Sequence, residues 1–393
     1  MNRYRTLAPL AIAILVVSVM LSALTACSTA GPSASPQSSP ASSSPSSPSA
    51  SASTKVSSPE EQAYQKAQDD FKKVVEAARN EDEAIIYSIF QVDMLDALAK
   101  AFNKVDPKIQ VKLMRVAGAA ANERLKAEQT TKQYIASAYM GGAPVTRWMD
   151  DEKITQPLDV PVLHEPGVKW VISPTFDKPK NTVTITFNKF LLLYNTQLIP
   201  AGQEPKTWRD LADPRFKDKL VFWDPRISST PRALFGALYL DSRYGPDVVR
   251  KITENTRVSP DSADAVRVVA KGEAAVTLST VASYKEVAGA PVKLVNPSDG
   301  AMLSPTQIAM VLSAPHPNTV RVFANWILSK EGQQVLGTGY GVVRGDVDAE
   351  EKLGQALPGE QLFPNVPWSA EYESKINGEP IDMVKKWMAE LGR

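Results

Sequence analysis

The distribution of apolar positions divides the chain into three parts. From Thr6 to Ala26 the sequence is apolar and uncharged, and two arginines precede this segment. Ser28–Ser58 consists almost entirely of Ser, Pro and Ala. Beyond it, apolar residues recur at the spacings of amphipathic helices and buried strands. This last part has roughly 335 residues, enough for two lobes that each bury a core of their own.

Strands and helices are predicted to alternate through the folded part. Ser58, Pro59 and Glu61 have the spacing of a helix N-cap with a capping box. Residues 182–188 alternate with period two, and residues 191–195 form a continuous apolar run. Short strands are predicted at Ala84–Tyr87, Ile109–Leu113 and Tyr134–Ser137, and a helix is predicted from 317 to about 333. This alternation predicts an α/β fold with a mostly parallel sheet that is covered on both faces.

Cys27, the only cysteine, directly follows the apolar N-terminal segment. A short basic start, an uncharged apolar stretch and small residues before a processing site are typical of a secretory signal. The pattern resembles a bacterial lipoprotein signal, which implies removal of residues 1–26 and lipidation of Cys27, for example with palmitate. A transmembrane anchor is the alternative, since about 20 apolar residues can cross a bilayer; chance placement of the cysteine is another.

Charge and cysteine usage limit the classes of partner. Removal of the signal takes away two positive charges and no acid, so the formal net charge changes from +1 to −1. A near-neutral protein gives no indication of a nucleic-acid partner. A single cysteine excludes internal disulfides. The Ser/Pro-rich residues have too little apolar area to fold and are predicted to form a disordered linker.

Four separated motifs resemble a known family. They are Tyr194-Asn195-Thr196, EPKTWRDLADPRFKDKLVFWDPR at 204–226, KGEAAVTLS at 271–279 and HPNTVRVFANWILSKEGQQ at 316–334. Together they resemble the class II periplasmic-type solute-binding proteins of ABC transporters, in the ferric-iron, thiamine and phosphonate branch. The resemblance covers roughly residues 60 to 350 in the same order.

This resemblance implies two α/β lobes with a ligand cleft between them, joined by crossover segments near 182–195 and 304–312. The expected divisions are a signal peptide at 1–26, lipidated Cys27 with its linker at 27–58, lobe 1 at 59–185 and 304–345, lobe 2 at 186–303, and a C-terminal segment at 346–393 that packs on lobe 2. It further implies a monomeric receptor on the extracytoplasmic face of the cell membrane, in the periplasm or cell-wall space. The receptor would bind a small solute, deliver it to an ABC permease, and have neither cofactor nor enzymatic activity.

A helix that begins near Ser228, Ser229 and Thr230 is the main candidate for an anion site. Free N–H groups and the helix dipole favour an anion there, and Arg226 adds positive charge. Ordinary helix capping by Ser or Thr is the alternative. The candidate ligand-binding residues are Ser88, Gln91, Ser137, Tyr139, Arg226, Ser228, Ser229, Thr230, Tyr284 and Tyr340. For each aromatic residue, burial in the core competes with a place in the cleft wall.

The resemblance also permits a comparison with iron-binding members of the family, which use a histidine, a carboxylate and two adjacent tyrosines. The matching positions here are Gln91, the segment 137–139 without a carboxylate, and Ser283-Tyr284 with one phenol. Ferric ion favours anionic oxygen ligands, so these residues favour an organic anion or phosphonate-type solute over bare iron. Chelated iron, a cationic heterocycle such as thiamine, and a receptor for a membrane sensor are alternatives. A lipid-anchored hydrolase is a more distant one, because Gly-x-Ser-x-Gly, His-Glu-x-x-His and a thiol nucleophile are absent from the folded part.

Overall fold

A computed structural model describes residues 58–116, 119–172, 181–226, 229–350, 352–356, 360–364 and 370–393. The predicted signal, Cys27 and all of the linker except Ser58 therefore lie outside the described residues. The first helix, α1 (Pro59–Ala78), begins with the predicted capping box. Ser58 Oγ accepts a hydrogen bond from the Glu61 N–H at 3.1 Å, and a Glu61 carboxylate oxygen accepts one from the Ser58 N–H at 3.0 Å.

Lobe 1 starts with alternating strands and helices. In chain order they are β1 (Ala84–Ser88), α2 (Val92–Phe102), β2 (Val111–Arg115), α3 (Ala119–Thr131), β3 (Ala136–Gly142), α4 (Ala143–Asp151), β4 (Thr155–Gln156) and the long β5 (Thr182–Asn195). A short 3-10 turn at Pro161–His164 precedes β5. β1 pairs in parallel with β2 on one side and with β3 on the other.

Lobe 2 follows the same alternating plan. Its elements are β6 (Leu220–Trp223), α5 (Ser229–Leu240), α6 (Gly245–Asn255), β7 (Thr256–Ser259), α7 (Ser262–Ala270), β8 (Val276–Ser279), α8 (Val281–Lys285) and β9 (Val292–Val295). β6 pairs in parallel with β7 and β8. The sheet of each lobe thus has a parallel part whose strand ends meet at one edge.

The remaining chain returns to lobe 1 and then reaches lobe 2 again. Its elements are β10 (Ala301–Val311), α9 (Pro317–Ile327), α10 (Lys330–Leu336), β11 (Gly341–Val342), β12 (Leu362–Phe363), α11 (Ala370–Asn377) and α12 (Glu379–Glu390). Helices α9 and α10 pack with α1 and α2 in lobe 1, whereas α11 and α12 pack on α5 of lobe 2.

Two long strands, β5 and β10, cross between the lobes. Residues 182–190 of β5 pair antiparallel with β10, and residues 191–195 pair antiparallel with β8 and β9. β10 in turn pairs antiparallel with β3. The two-lobed α/β class with two crossovers is therefore confirmed, but the expectation of a mostly parallel sheet is wrong. The sheet is mixed because β5 runs opposite to each strand that it pairs with, and β10 runs opposite to β3, β4 and β5.

Each lobe has its own apolar core. In lobe 1 the rings of Phe102, Phe323 and Trp326 pack together, with centroids 5.1 to 5.9 Å apart. In lobe 2, Phe222 packs edge to face on Phe235 at 6.0 Å. Thirteen of the fourteen residues of β5 are buried, which explains why its sequence reads as two successive apolar patterns rather than as one amphipathic strand.

Two sequence-based element predictions need correction. The strand expected at 134–137 lies at Ala136–Gly142, because its pairing with β10 extends through the small residues Gly141 and Gly142. The helix expected from 317 to about 333 is divided into α9 and α10 by Ser329, whose side chain caps the second helix by accepting from the Gly332 N–H at 3.3 Å.

Gly341 allows β11 to approach β5 closely, which gives the first testable prediction. A Cβ at this position would overlap the ring of Phe187, its partner on β5. Gly341→Ala should therefore lower the free energy of unfolding by about 1–3 kcal/mol, as overpacking in a core does. Urea unfolding of the full chain measures the change.

Gly339→Ala is the matched control, because its Cβ would meet only the flexible end of Met94 at 3.4 Å. Equal stability of the two variants would contradict the close approach.

Candidate functional site

A cavity of about 220 Å³ lies between the lobes, at the crossover strand. Its volume is below the roughly 300–1,000 Å³ of typical ligand pockets, which favours a small solute. The lining residues are Ile89, Gln91, Arg115, Asn188, Phe190, Trp223, Thr230, Ser262, Val266, Leu278, Ser279, Thr280, Ala282, Ser283 and Tyr340.

The position of the cavity follows from the topology. Gln91, Arg115, Trp223 and Ser279 stand at or just beyond the carboxyl ends of β1, β2, β6 and β8, the parallel strands of the two lobes. Ligands of α/β proteins bind in the crevice outside such strand ends, where polar loop residues converge and backbone groups are free. The two parallel parts thus face each other across the cavity.

Lobe 2 contributes hydroxyl groups and the start of helix α5. Thr230 is in the first turn of α5, which contains no acidic residue. The positive end of this helix is therefore available to an anion. By contrast, α7 begins with its own carboxylates, because Asp261 caps it and Asp264 lies in its first turn. Of these two helices, α5 is the better anion site.

Lobe 1 contributes the positive charge of Arg115, at the end of β2. Arg115 forms no ion pair within the part of the chain that the structure describes, and none of the lining residues is an acid. An exposed guanidinium that shares a cavity with the first turn of α5, and that forms no ion pair there, favours an anionic ligand with paired oxygens.

Tyr340 forms part of the lobe 1 wall. It is buried, and its ring lies 4.6 Å from the ring of Phe90, measured between centroids. Burial raises the pKa of Tyr340, although a hydrogen bond from the Gln91 backbone and the charge of Arg115 partly oppose this. The phenol is therefore neutral at physiological pH and is suited to donate a hydrogen bond.

Two hydrogen bonds cross the rim of the cleft. Gln91 Nε2 donates to Glu286 Oε1 at 3.5 Å, and Lys285 Nζ donates to the carbonyl oxygen of Thr338 at 3.2 Å. Both join lobe 1 to the segment at and after α8 in lobe 2. The lobes are thus in contact at this segment of lobe 2.

Three of the predicted ligand-binding residues, Gln91, Thr230 and Tyr340, line this cavity together. Ser88 does not line it: its hydroxyl is buried and accepts from the Phe90 N–H at 3.2 Å. The other predicted residues of lobe 1, Ser137 and Tyr139, are also buried away from the cavity.

Arg226 is not brought to the cavity either. Its guanidinium is bound to the carboxylate of Asp224, with contacts of 2.8 to 3.1 Å, and donates to the carbonyl oxygen of Arg393 at 2.9 Å. Tyr284 packs against the lobe 2 core, while its neighbour Ser283 lines the cavity. Ser228 and the Ser229 side chain lie outside the described residues, so their predicted roles stay predictions.

Sequence reasoning missed several residues of the cavity, including Arg115, Asn188, Ser279 and Thr280. Arg115 lies just beyond the strand predicted at 109–113, as Ser88 lies just beyond the one predicted at 84–87, so the rule of strand ends would have identified it. Asn188 is the only residue of β5 that is not buried, and it stands beside a charged residue, Lys189, in the middle of the strand, which is itself a signal. The Ser279-Thr280 pair comes between a buried strand and a helix that Thr280 caps.

Neither a membrane span nor a metal cluster is found in the described part of the chain. No helix within it is long and apolar enough to cross a bilayer. No group of three or more His, Cys, Asp or Glu residues within it is placed to hold a metal ion.

Comparison with solved structures shows the same fold. The chain superposes on the Actinobacillus pleuropneumoniae periplasmic binding protein AfuA, crystallised with fructose-6-phosphate, with a TM-score of 0.63 and 18% identity; 79% of this chain and 98% of that one are covered. Iron-bound HitA from Pseudomonas aeruginosa gives a TM-score of 0.62 and 18% identity, covering 78% and 99%. At this level of identity the likeness concerns the fold alone.

Sequence comparison gives the family. A Haemophilus influenzae relative described as an uncharacterized protein is 28% identical over 137 residues, which is 33% of this chain and 39% of the relative. The match thus spans less than half of that relative's length. Residues 151–370 match the family described as bacterial extracellular solute-binding protein, which is more than half of the chain. The chain belongs to the family of bacterial extracellular solute-binding proteins.

Proposed function

We propose that the protein is a lipid-anchored receptor that binds a small anionic solute between its lobes and delivers it to an ABC permease. The observation that carries this proposal is the meeting of Arg115, from lobe 1, with Thr230 at the start of α5, from lobe 2, across one small cavity that no acid lines. An anion held by both lobes would draw them together, so binding and closure would be coupled.

The hydroxyl groups around the cavity indicate the chemical class of the solute more closely. Ser262, Ser279, Thr280 and Ser283 approach from lobe 2, and the neutral phenol of Tyr340 approaches from lobe 1. Several donors around one cation suit a phosphate, phosphonate or carboxylate group, which offers several acceptor oxygens. The ring of Trp223 and the ring of Phe190 supply apolar wall for a short carbon skeleton.

Ferric iron remains the second candidate, because relatives with this fold include iron-bound HitA. The lining residues are less suited to the bare ion, since they offer one phenol, held neutral by burial, and no carboxylate. Iron carried by an anionic chelator would meet the same Arg115 and hydroxyl groups as an organic anion. The protein's affinities for chelated iron, for free ferric ion and for iron-free anions, measured side by side, separate these possibilities.

The membrane anchor rests on the N-terminal sequence. Lipidated Cys27 and the linker up to Ser58 would attach the folded part, which starts with α1, to the outer face of the cell membrane. A family of extracellular proteins fits that location. A linker of thirty-one residues as flexible coil spans roughly 30 Å, enough to hold the lobes clear of the lipid surface.

Arg115→Gln tests the charge of the cavity. We expect inorganic phosphate, methylphosphonate or fructose-6-phosphate to raise the melting temperature of the purified full chain; at 100 times its dissociation constant a ligand adds about 2.7 kcal/mol of stability. Loss of a hydrogen-bonded charge costs about 1.5–3 kcal/mol, so Arg115→Gln should weaken the affinity roughly 10- to 100-fold by isothermal titration calorimetry.

Lys112→Gln is the matched control, since it removes one positive charge from the same strand outside the cavity. The anion receptor would be refuted if the two variants bound these anions with equal affinity. It would also be refuted if only bare ferric ion raised the melting temperature.

A titration tests whether the cavity phenol is neutral. Because the folded pKa of Tyr340 is above the ordinary value near 10, folding favours the protonated form. The contribution of Tyr340 to the free energy of unfolding is complete below about pH 10. It is lost as the pH rises through the pKa of Tyr340 in the folded protein. The alkaline loss of stability between pH 9 and 11, measured by urea unfolding, should be smaller in Tyr340→Phe than in the parent. The same loss in both proteins would show that the phenol ionises normally.

Cys27→Ser tests the anchor. In a bacterium that processes lipoproteins, the parent should be recovered in the membrane fraction and incorporate labelled palmitate. The variant should incorporate none, because no other thiol is present. Label on Cys27→Ser would contradict lipidation at this residue.

A further inference from the structure

Lys189 lies in the crossover strand directly behind the solute cavity. Its neighbours Asn188 and Phe190 both line the cavity, and alternation along a strand places Lys189 on the opposite face. The Lys189 side chain has 0% of its surface exposed. A buried ammonium group is costly unless it is paired and fully hydrogen-bonded, so its partners are informative.

Two residues of the segment 352–363 satisfy this ammonium group. Lys189 Nζ contacts both carboxylate oxygens of Glu360, at 2.6 and 2.9 Å, and donates to the carbonyl oxygen of Gln355 at 3.1 Å. Glu360 also accepts from Nδ2 of Asn296, which follows β9 in lobe 2, at 2.6 Å. The pair therefore joins the crossover strand to lobe 2.

The side chain of Gln355 makes the connection to lobe 1. Its Oε1 accepts from the Val342 N–H at 2.8 Å, and its Nε2 donates to the carbonyl oxygen of Tyr340 at 3.0 Å. These two bonds fix the backbone on both sides of Gly341. Since Tyr340 lines the cavity, Gln355 holds one wall of it from behind.

We propose that Lys189, Gln355 and Glu360 are positioning residues for solute binding: they form a strap behind the crossover that sets the angle between the lobes and the place of Tyr340. We call these three residues the hinge strap. The hinge strap is hydrogen-bonded to lobe 1, to the crossover strand and to lobe 2. Hinge motions between lobes take place at a few residues where such elements meet. Its effect on binding rests on the function proposed above; its effect on lobe geometry does not.

An ordinary buried ion pair would stabilise the fold without setting the lobe angle, so the test must separate the two roles. The full chain carrying Cys27→Ser can be spin-labelled at Lys100→Cys and Lys251→Cys, exposed positions on α2 of lobe 1 and α6 of lobe 2. Pulsed electron spin resonance without added ligand then measures the distance between the lobes. Gln355→Leu should broaden this distribution and move it to longer distances.

Asn255→Leu is the matched control. Asn255 is a buried amide that donates to two backbone carbonyls, of Leu211 and Asp213, each at 2.9 Å, within lobe 2. Its loss should lower the melting temperature and leave the interlobe distance as in the parent. With inorganic phosphate as probe, Gln355→Leu should weaken binding about 10-fold and Asn255→Leu should not.

A second variant covers the case in which Gln355→Leu does not fold. The double variant Lys189→Met, Glu360→Gln removes both buried charges at similar volume, a change that proteins often tolerate. It should broaden the interlobe distance in the same way. An unchanged distance distribution in the variants that fold, with only the melting temperature reduced, would overturn the hinge strap. Because the distance needs no solute, this outcome is distinct from failure of the receptor function, which appears as no thermal shift with any anion.

Discussion

The two-sided burial of strand β5 is the constraint on which the rest of the structure depends. Its first nine residues complete the sheet of lobe 1 and its last five complete the sheet of lobe 2, and thirteen of the fourteen are buried. A strand covered on both faces and paired along both halves has one register only, since a shift by one residue would reverse every side chain. This fixed register places Asn188 and Phe190 in the cleft and Lys189 behind it.

The cleft combines a positive side chain from lobe 1 with the N-terminal end of a helix from lobe 2. Arg115 lies at the end of a parallel strand of lobe 1, and Thr230 lies in the first turn of a helix of lobe 2, a turn that has no acid. Two other arginines are already neutralised: Arg226 by Asp224, and the buried Arg344 by Glu165 and Asp346. Unlike these two structural arginines, Arg115 lines the cavity without an ion pair in the described part of the chain.

The family motifs are mainly structural in this chain. Trp208, in the longest motif, is fully buried and donates from its indole N–H to the Gly300 carbonyl at 2.8 Å. Gln333, in the last motif, holds the backbone of Ile185 and Val343. These residues serve packing in this chain, so they indicate the fold and do not reveal the ligand. The residues that line the cavity stand mostly at strand ends and in the loops after them, where a substitution harms the fold least.

The sequence by itself determined the local structure and the fold class. Capping at Ser58, short apolar strands and separated motifs were enough to predict two α/β lobes, because such signals depend on neighbours within a few residues. It also identified Gln91, Thr230 and Tyr340 as candidates. Only the tertiary structure decided which polar residues meet: Arg115 and Thr230 are far apart in sequence and converge through the crossover register, while Arg226 is drawn away by Asp224. Composition shows which charges exist, but three-dimensional packing decides which of them remain unpaired.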